Sequence, residues 1–196
     1  MANAEPVKIV ALGDSLTAGL GLPQDQGLVP QLQAWLVANG QDVVVENAGV
    51  SGDTTAGGLA RLAWAVGSNP DALIVTLGGN DMLRGLDPAE AKANLDAILA
   101  EAQARNLPVL LVGLKAPGNY GPDYKTAFDA MYPALAAKYG AGLVDSFFAP
   151  IFTDASQNLN PALMQADGIH PNKDGVAVVV AMLGPQVVEL VAKVKP

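Results

Sequence analysis

Short apolar runs alternate along the chain with stretches in which apolar residues recur every three or four positions. The runs are Val7 to Leu12, Val43 to Val45, Ala72 to Leu77, Val109 to Leu114 and Gly142 to Val144. Their length and β-branched content predict buried strands. The periodic stretches predict amphipathic helices. Leu28, Leu32, Trp35 and Leu36 share one face of a helix from Leu28 to Ala38, which Gly40 ends. Thr54 or Thr55 caps a second helix running to about Val66, with Leu59 and Leu62 inward. Asp87, Pro88 and Glu90 read as N-cap, first helical residue and capping-box partner of a third helix, which buries Leu95, Ile98, Leu99 and Ala102. Phe128, Met131, Tyr132, Leu135 and Tyr139 form the stripe of a fourth, with core spacing. Val176, Val179, Val180, Leu183, Val187 and Leu190 face inward on a closing helix, after a long loop from Phe147 to Ile169.

Strands alternating with helices imply a parallel sheet covered on both faces. With right-handed crossovers, the fold class is α/β: a three-layer α/β/α sandwich on a five-stranded parallel sheet, flavodoxin-like. The 196 residues suffice for one domain with a sizeable core, spanning 1–196.

Charge narrows the partners. The net charge of −8, with no basic cluster, argues against nucleic acid and anionic membrane, both of which need Lys/Arg patches. No uninterrupted apolar run reaches the 18 residues of a membrane span, so no stable membrane insertion is expected. Cysteine is absent, which removes disulfides and thiolate chemistry, and a single histidine excludes a multi-histidine zinc site within one chain. The expected partner is a small molecule, with no metal or organic cofactor. Ala2-Asn3-Ala4 has the small-x-small form of a signal-peptidase site. That pattern predicts a periplasmic or secreted protein; the alternative is an ordinary cytoplasmic start.

The chemistry collects where the strands end. Val7 to Leu12 runs into Gly13-Asp14-Ser15, the second strand into Ser51-Gly52-Asp53-Thr54, and the third into Gly78-Gly79-Asn80-Asp81. A parallel sheet delivers all three loops to one edge, where ligands bind in open α/β sheets. Asp167-Gly168-Ile169-His170-Pro171 precedes the closing helix, which starts near the same rim. A serine hydroxyl needs an adjacent general base, and His170 is the one imidazole available. Asp167, three residues earlier, is placed to orient it. A tetrahedral intermediate needs donors for its oxyanion, and the Ser15 N–H, the Gly52 N–H and the Asn80 amide are the candidates. Each residue also has a local use: Asp14 or Ser15 as a helix cap, Gly52 as a turn, Asn80 as an Asx-turn former, Asp167 as a loop charge. Asp14, Asp53, Asp81 and Asp145 read as structural. Met82, Leu83, Leu86 and the segment Phe147 to Phe152 supply apolar surface near the rim for an acyl or aryl group.

In this order, Gly13-Asp14-Ser15-Leu16, Gly52, Gly78-Gly79-Asn80-Asp81 and Asp167-Gly168-Ile169-His170-Pro171 resemble the four blocks of the SGNH (GDSL-type) hydrolases. The likeness covers Ile9 to about Gly175. Ser51-Gly52-Asp53-Thr54, Gly58-Leu59-Ala60-Arg61-Leu62, Leu83-Arg84-Gly85 and Asn119-Tyr120-Gly121 are similar to the bacterial arylesterase and acyl-thioesterase/lysophospholipase branch. The resemblance implies Ser15 as nucleophile, Gly52 and Asn80 completing the oxyanion hole, and Asp167 and His170 as the other triad members. It also implies a mobile segment after Asn80, where Met82 stands at a position that is often smaller in relatives. Two other readings predict different behaviour: a metal-dependent phosphoesterase using Asp14, Asp53, Asp81 and His170, and a binding module without catalysis.

Overall fold

A computed structural model describes residues 5–153 and 158–194. Ala2-Asn3-Ala4, the candidate processing site, lies outside the described residues. The chain runs β1 (Val7–Gly13), α1 (Ser15–Ala18), α2 (Leu28–Ala38), β2 (Val43–Gly49), α3 (Thr55–Ala60), α4 (Leu62–Ala65), β3 (Ala72–Thr76) and α5 (Gly79–Leu83). It continues through α6 (Pro88–Ala104), β4 (Val109–Val112), α7 (Pro122–Tyr139), β5 (Gly142–Val144) and α8 (Lys173–Val191).

The five strands are all parallel, in the order β2-β1-β3-β4-β5. β1 and β3 lie inside the sheet and are buried along nearly their whole length, which is why they read as unbroken apolar runs. Reversal of the winding after β2 sends α2 to one face, where it packs against α8, while α3, α6 and α7 cover the other. Gly184 of α8 lets the two helices on the first face approach, since a Cβ there would lie 2.4 Å from the Trp35 ring. Val176, Val179, Val180, Leu183, Val187 and Leu190 are all buried.

Two expectations differ, and α8 adds a feature that apolar runs alone do not show. β2 extends four residues beyond Val45, to Gly49, because Glu46 and Asn47 sit on an edge strand that pairs residue for residue with β1. Edge position tolerates polar side chains, so the apolar pattern ended before the strand did. The helix expected from Thr54 to Val66 breaks at Arg61, where the backbone (φ −105°, ψ 6°) separates α3 from α4. α8 is long and apolar enough, by composition, to cross a membrane although no unbroken apolar run within it reaches 18 residues, because one flank is core and the other carries further valines.

Candidate active site

Asp14 follows β1 and caps α1: its Oδ1 accepts the Leu16 N–H at 3.0 Å. This single turn holds Ser15 at its first position, 9% exposed. After β2 the chain turns through Gly52, whose φ of +87° is the left-handed region that glycine enters without steric cost. After β3, Asn80 lies in α5. Asp81 pins that helix to α3, its two oxygens accepting the Thr55 N–H at 2.8 Å and the Thr55 hydroxyl at 2.6 Å.

The fourth element is a tight turn before α8. Asp167 Oδ1 accepts the N–H groups of Ile169 (2.9 Å) and His170 (3.0 Å), and Gly168, between Asp167 and Ile169, takes φ +66°. Folding back in this way leaves the other carboxylate oxygen, Oδ2, 2.6 Å from His170 Nδ1. Across the gap, His170 Nε2 lies 2.8 Å from Ser15 Oγ. An ionised carboxylate only accepts, so Nδ1 carries the proton toward Asp167 and Nε2 is left to accept from the serine hydroxyl. The hydrogen bond to His170 holds the Asp167 carboxyl down at about 2, helped by its two backbone donors. Asp14 goes the other way: burial raises it to about 6, against the pull of the Leu16 N–H, His170 and Asn80.

Asn80 donates both amide hydrogens, to the Asp53 carbonyl at 2.9 Å and to Asp14 Oδ2 at 3.3 Å. Gly52 sits at the exposed rim, its carbonyl accepting from Arg84 at 2.8 Å. A cavity of about 460 Å³ opens beside this cluster. Ser15, Asn80 and His170 face it, and Met82, Leu83, Phe148 and Phe152 supply apolar wall. Leu86 does not line the cavity, and Phe147 and Ile151 are buried in the core instead. The expected apolar segments therefore contribute only in part: alternate side chains of a turn face opposite ways. A second hollow of about 480 Å³, at the other end of the sheet among Asn106, Pro108 and Tyr139, has no hydroxyl–imidazole pair.

Comparison with known proteins identifies the family of the chain. A model of the GDSL-like lipase/acylhydrolase family matches residues 11–178. The chain belongs to that family. As a GDSL-family protein it is an ester hydrolase acting on small-molecule esters. It is 44% identical to esterase TesA of Pseudomonas aeruginosa, over 83% of this chain and 79% of that protein. It is 37% identical to the thioesterase 1/protease 1/lysophospholipase L1 of Escherichia coli strain K12, over 93% and 84%. A crystal structure of TesA superposes with a TM-score of 0.85 at 40% identity, covering 93% of this chain and 99% of that one.

Two residues of this GDSL hydrolase escaped the reading of the sequence as site residues. Gln165 Nε2 donates to Leu20 O (2.9 Å) and to Pro171 O (3.0 Å), tying the histidine turn to the segment after Ser15. A lone glutamine in a loop carries no pattern that would mark it. Arg61 reaches three strand-end segments, and only its place in a family-like block drew notice. The four aspartates set aside as structural are each hydrogen-bonded or ion-paired: Asp14 and Asp81 as above, Asp53 with Arg61, Asp145 with Lys115. Among the described residues, no three His, Asp or Glu side chains converge as a metal site.

Proposed function

We propose that this chain is a serine esterase working through an acyl-enzyme on Ser15. The observation that carries the reading is the unbroken hydrogen-bonded run Asp167–His170–Ser15 at the mouth of an apolar-walled cavity. In the first step Ser15 Oγ bonds to the ester carbonyl carbon while its proton passes to His170 Nε2. Asp167, ionised far below neutrality, stabilises the imidazolium. The oxyanion takes hydrogen bonds from the Ser15 N–H, the Gly52 N–H and the Asn80 amide. At Asn80 the oxyanion replaces the longer of the two resting bonds, the one to Asp14. Collapse breaks the bond to the alcohol or thiol, which leaves with the proton from His170. Water, deprotonated by the same nitrogen, then releases the acid and restores Ser15.

Aryl or short-to-medium acyl esters are the preferred substrates, with thioesters and lysophospholipids behind. The apolar wall of Met82, Leu83, Phe148 and Phe152 supports an acyl or aryl occupant, and the similarity to an esterase and to a thioesterase/lysophospholipase supports the range. Ala2-Asn3-Ala4 supports an exported, periplasmic or secreted protein, and a hydrophobic leader encoded upstream is the test of that part.

A panel of p-nitrophenyl esters, acyl-CoAs and lysophospholipids, run on the wild type and on Ser15→Ala, tests the whole. Chelator-insensitive turnover lost in the variant, with an organophosphonate adduct on Ser15, is expected. Turnover retained by Ser15→Ala overturns the reading; chelator-sensitive phosphoesterase activity favours a metal enzyme, and no labelling favours a binding module.

A further inference from the structure

Arg61 lies between α3 and α4, outside the cavity lining, yet its guanidinium is spent wholly on the loops around Ser15. Its Nε donates to Asp53 Oδ2 at 2.5 Å, Nη1 to the Ala48 carbonyl at 2.8 Å and Nη2 to the Gly13 carbonyl at 2.8 Å. Each acceptor belongs to a different part of the proposed oxyanion hole. Gly13 closes β1 two residues before Ser15, and its carbonyl also takes the Val50 N–H at 3.0 Å. Ala48 is the next-to-last residue of β2, ahead of the Gly52 turn. Asp53 follows Gly52, and its own carbonyl accepts the Asn80 amide at 2.9 Å.

We propose that Arg61 is a positioning residue for the oxyanion hole, one planar fork setting the spacing of the loops that carry Ser15, Gly52 and Asn80. This rests on the acyl-enzyme reading above. The chemistry favours arginine for this task. A guanidinium presents several donors in fixed directions, so three acceptors on it are held at fixed mutual distances. A lysine ammonium keeps the charge but is a compact point on a flexible stem and cannot impose that geometry. Substrate never meets Arg61, so binding of the ground state is insensitive to it. The transition state is sensitive, because a displacement of about 1 Å in a catalytic group costs on the order of 100-fold in rate. Asp53 completes the device as an anionic anchor, placing the charge pair beside the turn rather than in the cavity.

The test is Arg61→Lys assayed on p-nitrophenyl butyrate, with far-UV circular dichroism and thermal melting alongside. The expected result is a native spectrum, a kcat lowered roughly 10- to 100-fold and a KM within about threefold of wild type. Phosphonylation of Ser15 slows by a similar factor, since its tetrahedral oxygen uses the same donors. Guanidinium ion at millimolar concentration restores kcat to Arg61→Ala without moving its melting temperature, which a purely structural role does not permit. Unchanged kcat, or a rise in KM alone, overturns the proposal. Should Arg61→Lys not fold, Asp53→Asn decides: it keeps the shape and removes the anionic anchor, and an unchanged kcat there overturns the proposal. A wild type with no Ser15-dependent turnover overturns the acyl-enzyme reading itself and Arg61's role with it, an outcome distinct from an active wild type matched by Arg61→Lys.

Discussion

His170 and Ser15 are 155 residues apart in the chain, and Nε2 and Oγ are 2.8 Å apart in the fold. The approach follows from winding. β1 lies inside the sheet, between the edge strand β2 and the central strand β3, and α8 returns to pack beside α2 on the face nearest α1. The turn ahead of α8 is thereby set against the end of β1, and Gln165 bonds the two segments together.

Asp167→Asn tests the orientation of the imidazole. The substitution keeps the shape but offers Nδ1 an amide that can donate, which turns the ring toward the tautomer with its proton on Nε2. Under the acyl-enzyme reading kcat falls by roughly 100-fold or more, with little change in KM. Steady-state kinetics on p-nitrophenyl esters provides the measurement; wild-type kcat in this variant would show that Asp167 does not orient the base.

Asp14 makes stability depend on pH in an unusual direction. Its folded-state value of about 6 lies above the ordinary 3.8, so between these values the folded chain holds a proton that the unfolded chain has lost. The contribution is complete below about pH 4 and is lost as pH rises to about 6. Asp167, held at about 2, acts in a lower window: its contribution is present above about pH 4 and lost as pH falls toward 2. Asp14→Asn therefore gains stability relative to wild type between pH 4 and 7, by about 2–3 kcal/mol at most. Urea unfolding of both proteins across that range is the check, and parallel pH profiles would count against a raised Asp14.

Leu83 and Leu86 separate wall from surface. Leu83 lines the cavity whereas Leu86 does not, although both are partly exposed. Leu83→Ser lowers kcat/KM for octanoyl esters by about 10-fold relative to acetyl esters, the order expected from losing contact with one or two methylenes. Leu86→Ser leaves the ratio unchanged. Equal loss on acetyl and octanoyl esters in Leu83→Ser would remove Leu83 from the acyl path.

Gly52→Ala probes a backbone conformation. An added Cβ finds open space, its nearest neighbour being Arg84 Nη2 at 3.9 Å, so the cost comes from φ +87° alone. Stability drops by about 1–2 kcal/mol. If the turn relaxes to relieve that strain, the Gly52 N–H leaves its place and turnover falls by roughly 100-fold. Thermal melting and kcat measured together distinguish the two effects; lost stability with full turnover would remove the Gly52 N–H from the oxyanion hole.

Much of this molecule is legible from one dimension because its core is periodic. β1, β3, β4 and β5 announce themselves as apolar runs, and the inward face of α8 appears residue by residue, since burial on a sheet or helix imposes a repeat of fixed length. The same holds for Ser15, Gly52, Asn80, Asp167 and His170 as candidates: a parallel sheet sends successive loops to one edge whatever their content, so polar residues at strand ends fall together by topology. Distances, and the bond partners outside Asp167–His170–Ser15, were not legible. That Asn80 spends both amide hydrogens on Asp14 and Asp53, that Arg61 spans three loops, that Gln165 holds the histidine turn, and that Leu83 faces the cavity while Leu86 does not are all decided by contacts between segments far apart in the chain. Local pattern records which side of an element meets the core. Only packing in three dimensions settles which polar group finds which, because a hydrogen bond across loops depends on where both ends are held and leaves no period behind.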